Sequence, residues 1–303
     1  WDERDYRSKA DNVETAVFLE GGWLDHNVKH WDTTRFFMAL PDDHPKKMAI
    51  GQWAHSASQF EDAQDLRHAW FDHWLLGLDT GVMDLPRVDT ELNTGERIQM
   101  DDWTPPGTKN VKVTLSKNAA RGSLALEGEG PPTWNDLDPA FTEDRALDGE
   151  CGESCLVFTS EPLKKDVRIS GGPVLDLLAS TDAESTHLTP VIFDEDPDGT
   201  REVISRGFLN TRNRDGLDVS EPLAPGEEYR APVEVWDTDY LLRKGHRLGV
   251  AVMSSNAAWA LPEDDSRATT TLTLGGKSLL KVPVGEGVKA LRPGGKHKRK
   301  SRD

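Results

Sequence analysis

The chain is 303 residues long, with 36 Lys and Arg against 53 Asp and Glu, a formal net charge of −17 and 36% hydrophobic residues. A chain of that length buries one large core or two ordinary ones. Its charge argues against nucleic acid or an anionic membrane surface as partner, and no run approaches the roughly 18 apolar residues of a membrane span, so a soluble acidic protein is expected.

In chain order, the first patterned stretch is 15–56. An apolar run, Ala16-Val17-Phe18-Leu19, leads through Gly21-Gly22-Trp23 to Asp25. A helical segment follows, and a second run, Lys47-Met48-Ala49-Ile50, leads through Gly51-Gln52-Trp53 to His55. Ligands of an open α/β sheet sit outside the carboxyl ends of its parallel strands. An acid and a histidine just beyond two short strands are therefore candidates for a shared site. Each also has a plain structural reading: Asp25 as the N-cap of a helix opening near Asn27, and His55 as a core imidazole behind a tryptophan.

Residues 60–78 set Leu66, Ala69, Trp70, His73, Trp74 and Gly77 at three- and four-residue steps, which predicts an amphipathic helix that packs on the sheet and ends at Gly77. His68 and His73 miss the i,i+4 step of a helical metal pair. His26 and His30 have that step but lack a third ligand nearby, so no metal or other cofactor is expected. Residues 1–85 thus read as an α/β segment.

From about Leu85 the texture changes. Short runs rich in Val, Ile, Leu and Thr (among them 111–115, 156–159, 174–178, 189–193 and 247–253) alternate with Gly, Pro, Asp and Asn clusters. That pattern predicts an antiparallel β-sandwich over 86–291, with a strand count that suits a jelly roll. Asp194-Glu195-Asp196-Pro197-Asp198-Gly199 begins like a calcium loop, but its twelfth position is Ser205 and Pro197 lies inside it; a hairpin turn is expected instead. His246, after a turn, opens a strand. Cys151 and Cys155 fit either a small disulfide ring, as in an exported protein, or two thiols, as in a cytosolic one. The last stretch, 292–303, carries six basic residues against one acid and no apolar residue, and reads as a disordered basic tail.

The wording of several segments is specific. WDERDY (1–6), GGWLDHNV (21–28) and KKMAIGQWAHS (46–56) resemble the C-terminal part of the catalytic domain of the Xaa-Pro dipeptidyl-peptidases. These serine hydrolases are grouped with the cocaine esterases and α-amino-acid ester hydrolases. SEPLKKDVRISGGPVLDLLAST (160–181), SRGFLN (205–210) and KGHRLGVAVMSSN (244–256) resemble the same family's C-terminal β-sandwich domain. The resemblance implies the C-terminal remnant of an α/β-hydrolase sheet followed by an antiparallel jelly-roll β-sandwich. It places a triad acid at Asp25, a triad histidine at His55, and the lining of a proline pocket at Asn27 and Val28. The implied substrate is a proline-containing peptide.

Triads on this fold run nucleophile, acid, histidine. Asp25 and His55 stand in that order, but no G-x-S-x-G word occurs in the 303 residues. The nearest approach, Gly152-Glu153-Ser154-Cys155-Leu156, lacks the second glycine, follows the histidine and is held between two cysteines. The expectation is a C-terminal half, inactive alone, whose nucleophile lies on an N-terminal catalytic segment outside this sequence. Two other readings stand beside it: an esterase or amidase of the same fold group, and a non-catalytic module whose sandwich binds sugar or peptide. Homo-oligomer formation is left open.

Overall fold

The computed structural model describes residues 7–25, 31–260 and 267–292, which fall into two compact units. The first comprises residues 1–108 with two later segments, 168–172 and 236–241. Its sheet begins with β1 (Val17–Gly22) and β2 (Lys46–Gly51), paired in parallel from Val17 opposite Lys46 to Gly22 opposite Gly51, with α1 (Trp31–Ala39) in the connection. β2 is buried along its whole length, as a central parallel strand covered on both faces must be. β3 (Val88–Glu91) joins β2 in parallel, and β4 (Arg97–Met100) returns antiparallel on β3. Trp23, Phe37, Met48, Ile50, Val88 and Trp103 form the core around these strands.

The predicted helix forms as α2 (Ala63–Leu76). Trp70 is buried against Phe18 of β1, with ring centroids 5.6 Å apart. Trp74, expected on the packed face, is 40% exposed, and Phe71, Leu75 and Leu76 are exposed beside it. The helix ends as its sequence implies: Gly77 adopts φ 69°, and the N–H groups of Gly77 and Leu78 donate to the carbonyls of His73 and Asp72, a glycine-terminated cap.

β2 opens on two buried lysines that serve as caps for neighbouring backbone. Lys46 Nζ donates to the carbonyls of Phe37 (3.0 Å) and Leu40 (2.8 Å) at the C-terminal end of α1, where carbonyls lack intrahelical donors and the helix dipole favours a cation. Lys47 Nζ donates to the carbonyls of Leu85 (2.9 Å) and Pro86 (2.7 Å). Burial lowers the pKa of both ammonium groups. Replacing Lys46 by Met keeps the stem and strands two buried acceptors, so chemical denaturation should show a loss of about 1–3 kcal/mol.

The first unit continues to Thr108, because β3 and β4 extend the sheet of β1 and β2. Segments 168–172 and 236–241 belong to this unit as well and carry a pair of strands. They are joined by Arg168, whose Nε and Nη2 donate to the two carboxylate oxygens of buried Asp239 at 2.8 and 2.7 Å. Trp103 Nε1 donates to Asp237 Oδ2 at 3.1 Å.

The second unit is a mostly antiparallel ladder. His187–Glu195 pairs with Arg201–Arg206 and with Arg247–Met253, which pairs in turn with Cys155–Thr159. Leu279–Glu286 lies between Lys109–Ser116 and Val174–Thr181, and Val174–Thr181 pairs further with Glu228–Glu234. One pair, Lys109–Ser116 with Ser123–Leu126, is parallel. Val174–Thr181 alternates half-buried and buried residues, the period-two pattern of a strand with one face in a core. The apparent calcium loop is a hairpin turn: Asp196 Oδ1 accepts the amides of Asp198 and Thr200 at 2.9 and 2.8 Å, and Gly199 N donates to the Asp196 carbonyl. His246 Nδ1 pairs with Asp194 Oδ1 at 2.9 Å just before Arg247–Met253 begins. Cys151 and Cys155 are joined as a disulfide, with Cα atoms 5.0 Å apart. Residues 293–303 of the basic tail lie outside the described residues. Among the described residues no helix is long and apolar enough to cross a membrane.

Candidate active site

The parallel pairing of β1 and β2 carries two segments out of the sheet side by side. Beyond the facing glycines Gly22 and Gly51, Trp23 N donates to the Gly51 carbonyl (2.8 Å) and Leu24 N to the Trp53 carbonyl (3.1 Å). This lacing needs glycine at both strand ends. A Cβ on Gly22 would stand 1.9 Å from the Trp53 carbonyl oxygen, and one on Gly51 would stand 2.1 Å from the Trp53 indole. The indole is itself buried, edge-on to Phe60 at 5.1 Å.

The lacing brings Asp25 and His55 together. His55 Nδ1 lies 2.9 Å from Asp25 Oδ2, with the Asp25 side chain 8% exposed and the His55 side chain 70% exposed. A carboxylate accepts only, so Nδ1 carries the proton and donates; in the neutral ring Nε2 then holds the lone pair. Nε2 has no protein partner among the described residues. The pair is thus a base with its tautomer set by a buried acid and its free nitrogen at the surface, able to take a proton from a nucleophile and return it to a leaving group. The exposed ring of His55 is not a core imidazole, and the helix cap expected of Asp25 falls on residues 26–30, outside the described residues.

The segment bearing His55 is held at both ends by acids that the sequence did not flag. Gln52 N donates to Glu91 Oε2 (2.9 Å) and Gln52 Nε2 to the Glu91 carbonyl (3.0 Å), tying the segment to the end of β3. Ser58 N donates to Glu20 Oε1 (3.1 Å), and Arg67 of α2 reaches both Glu20 Oε1 (3.4 Å) and the Ser58 carbonyl (3.3 Å). Removing the Glu91 side chain takes away a charge-assisted bond of about 1.5–3 kcal/mol. Hydrogen exchange of the Gln52 amide in Glu91→Ala should therefore quicken by at least about tenfold, while the amides of the second unit keep their rates.

Asn27 and Val28, with His26 and His30, lie outside the described residues. His73 Nδ1 approaches the Leu78 carbonyl at 3.1 Å, a contact within the helix end. Ser154 sits in the turn closed by the Cys151–Cys155 disulfide, its N–H donating to the Cys151 carbonyl.

The fold is shared with solved structures. The crystal structure of an aminopeptidase from a marine-sediment archaeon, Thaumarchaeota, superposes with a TM-score of 0.78 at 18% identity, covering 94% of this chain and 57% of that one. Residues 80–297 match the model of the X-Pro dipeptidyl-peptidase C-terminal non-catalytic domain, and residues 1–57 match that of the X-Pro dipeptidyl-peptidase itself. The chain belongs to the X-Pro dipeptidyl-peptidase family. A Bacillus anthracis protein provisionally named Xaa-Pro dipeptidyl-peptidase is 29% identical over 281 residues, which are 90% of this chain and 47% of that protein. The cocaine esterase of a Rhodococcus species is 23% identical over 310 residues, 89% of this chain and 53% of the esterase. The chain thus spans about half the length of the relatives it matches.

Proposed function

We propose that the chain is the C-terminal portion of a serine exopeptidase that releases Xaa-Pro dipeptides from peptide N-termini. Asp25 and His55 are the acid and base of its triad, and the nucleophilic serine lies on a segment outside these 303 residues. The single observation that carries this is the Asp25–His55 hydrogen bond at the ends of adjacent parallel strands in a chain of this family. Two further facts support it. No G-x-S-x-G word is present, and β1 stands at the end of the four-stranded sheet, the position at which the strands of a larger α/β sheet would be added. In this reading Asn27 and Val28, two and three positions after Asp25 in the sequence, line the pocket for the proline ring. The second unit is a jelly-roll sandwich attached to the catalytic part.

The reading is tested with the chain joined to an N-terminal catalytic segment of the family. Xaa-Pro anilides should be cleaved in preference to Xaa-Ala anilides and simple aryl esters. Val28→Ala should reduce the proline preference by about 1–3 kcal/mol in kcat/KM, the worth of a small apolar group in a specificity pocket. Preference for the aryl ester would favour the esterase reading, which the likeness to the cocaine esterase keeps in view.

A further inference from the structure

The second unit contains a cavity of about 320 Å³ whose electrostatics run against the rest of the chain. Its wall is apolar: Val113, Leu163 and Leu291 line it and are 1%, 5% and 3% exposed. Its rim carries four cations, Arg121, Lys164, Lys165 and Lys289, against one acid, Glu161. In a chain with 53 acidic residues against 36 basic ones, cations normally find carboxylates. Elsewhere in this unit Arg201, Arg206, Arg230, Arg243 and Lys281 each pair with an Asp or Glu. Lys164, Lys165 and Lys289 make no ion pair among the described residues, and Arg121 donates to the Lys289 backbone carbonyl rather than to an acid.

The neutral polar groups at the cavity are already satisfied. Ser123 Oγ accepts from Ala120 N and donates to the Ala120 carbonyl, and Ser160 Oγ accepts from Leu248 N and donates to the Glu161 carbonyl. The cavity therefore offers a ligand apolar surface and positive charge, with few hydroxyl partners for a polyol. Its volume is at the small end of the roughly 300–1,000 Å³ typical of ligand sites.

We propose that this cavity binds a small amphipathic anion: a hydrocarbon tail against Val113, Leu163 and Leu291, and a carboxylate or phosphate head among the four rim cations. Burial of the tail supplies the affinity and the cations select the head, a division of labour that holds because exposed charge pairs contribute little singly. The site is independent of the peptidase reading, since all of its residues lie in the second unit.

Calorimetric titration of the 303-residue chain with octanoate, octanol and acetate tests it. Octanoate should bind, octanol and acetate at least about tenfold more weakly, and octanoate affinity should fall as salt is raised. The double variant Lys164→Ala/Lys165→Ala should weaken octanoate about tenfold, and Lys289→Glu should weaken it in the same direction; all three lysines are exposed, so both variants keep the fold. Absence of octanoate binding, equal binding of octanol or acetate, or unchanged affinity in both variants would overturn the proposal.

Discussion

His55→Ala, introduced into the chain joined to its family's N-terminal catalytic segment, is expected to lower kcat on an Xaa-Pro anilide by several orders of magnitude. Asp25→Asn should lower it by about 10⁴-fold, the scale seen when a triad loses the carboxylate that holds the histidine tautomer. The reason lies in the hydrogen bond: His55 Nδ1 meets Asp25 Oδ2 at 2.9 Å, and the acid is almost wholly buried, so the imidazole has one defined proton position. An asparagine can turn its amide to donate, which reverses the tautomer and puts the proton on Nε2. In the proposed roles neither group binds the peptide before chemistry begins, so KM should move little while kcat collapses. A raised KM with kcat preserved would mean that the pair holds substrate rather than a proton.

The second large effect is on stability and lies in the second unit. Glu143 and Arg206 are 3% and 7% exposed and form a bidentate pair: Arg206 Nε lies 2.8 Å from both carboxylate oxygens and Nη2 2.5 Å from Oε1. Asn256 Nδ2 and Trp259 Nε1 each donate to the same carboxylate at 2.8 Å, and the guanidinium lies over the Trp259 ring. Burial alone would raise the Glu143 pKa, but the Arg206 bonds and charge, with Asn256 and Trp259, bring it below its ordinary value. A carboxylate with a lowered folded pKa contributes stability that is complete above the ordinary glutamate range, near 4.5, and is lost as pH falls through the folded value. Arg206→Met leaves the charge buried without its partner and should cost about 3–5 kcal/mol at neutral pH. In that variant the sign reverses: burial then dominates, Glu143 is easier to protonate in the fold, and the deficit should shrink as pH is lowered toward 4.5. Denaturant melts of both proteins between pH 7 and pH 4 read the two slopes directly.

What the sequence made legible was local. The strand, glycine turn and acid of 17–25, and the strand, glycine and histidine of 46–55, are contiguous words, and parallel pairing of two such words is enough to bring their ends together. α2 was legible for the same reason, with its period and its terminal glycine both on the page, although its outer face carries Phe71, Leu75 and Leu76 to the surface and so blurs the pattern on which Trp74 was placed. Non-local pairings were not legible. Glu91 clamps Gln52 across 39 positions, Glu20 clamps Ser58 across 38, and Arg168 meets Asp239 across 71, and none of these acids differs in its own neighbourhood from an ordinary surface residue. A strand's sequence does not say which sheet it joins: β3 and β4 lie past Leu85, where short strands take over, yet β3 pairs onto β2 and β4 onto β3. Leu279–Glu286 pairs on both sides, yet Pro283 within it removes a backbone donor and reads in the sequence as a break.

If Asp25 and His55 serve a serine outside this chain, a fluorophosphonate, which reacts only with an activated serine, will find it there. The chain alone should remain unlabelled, Ser154 included; joined to the N-terminal segment, one serine of that segment should label, and His55→Ala should abolish the labelling. Labelling of a serine within the 303 residues, or undiminished labelling in the His55→Ala protein, would contradict the claim.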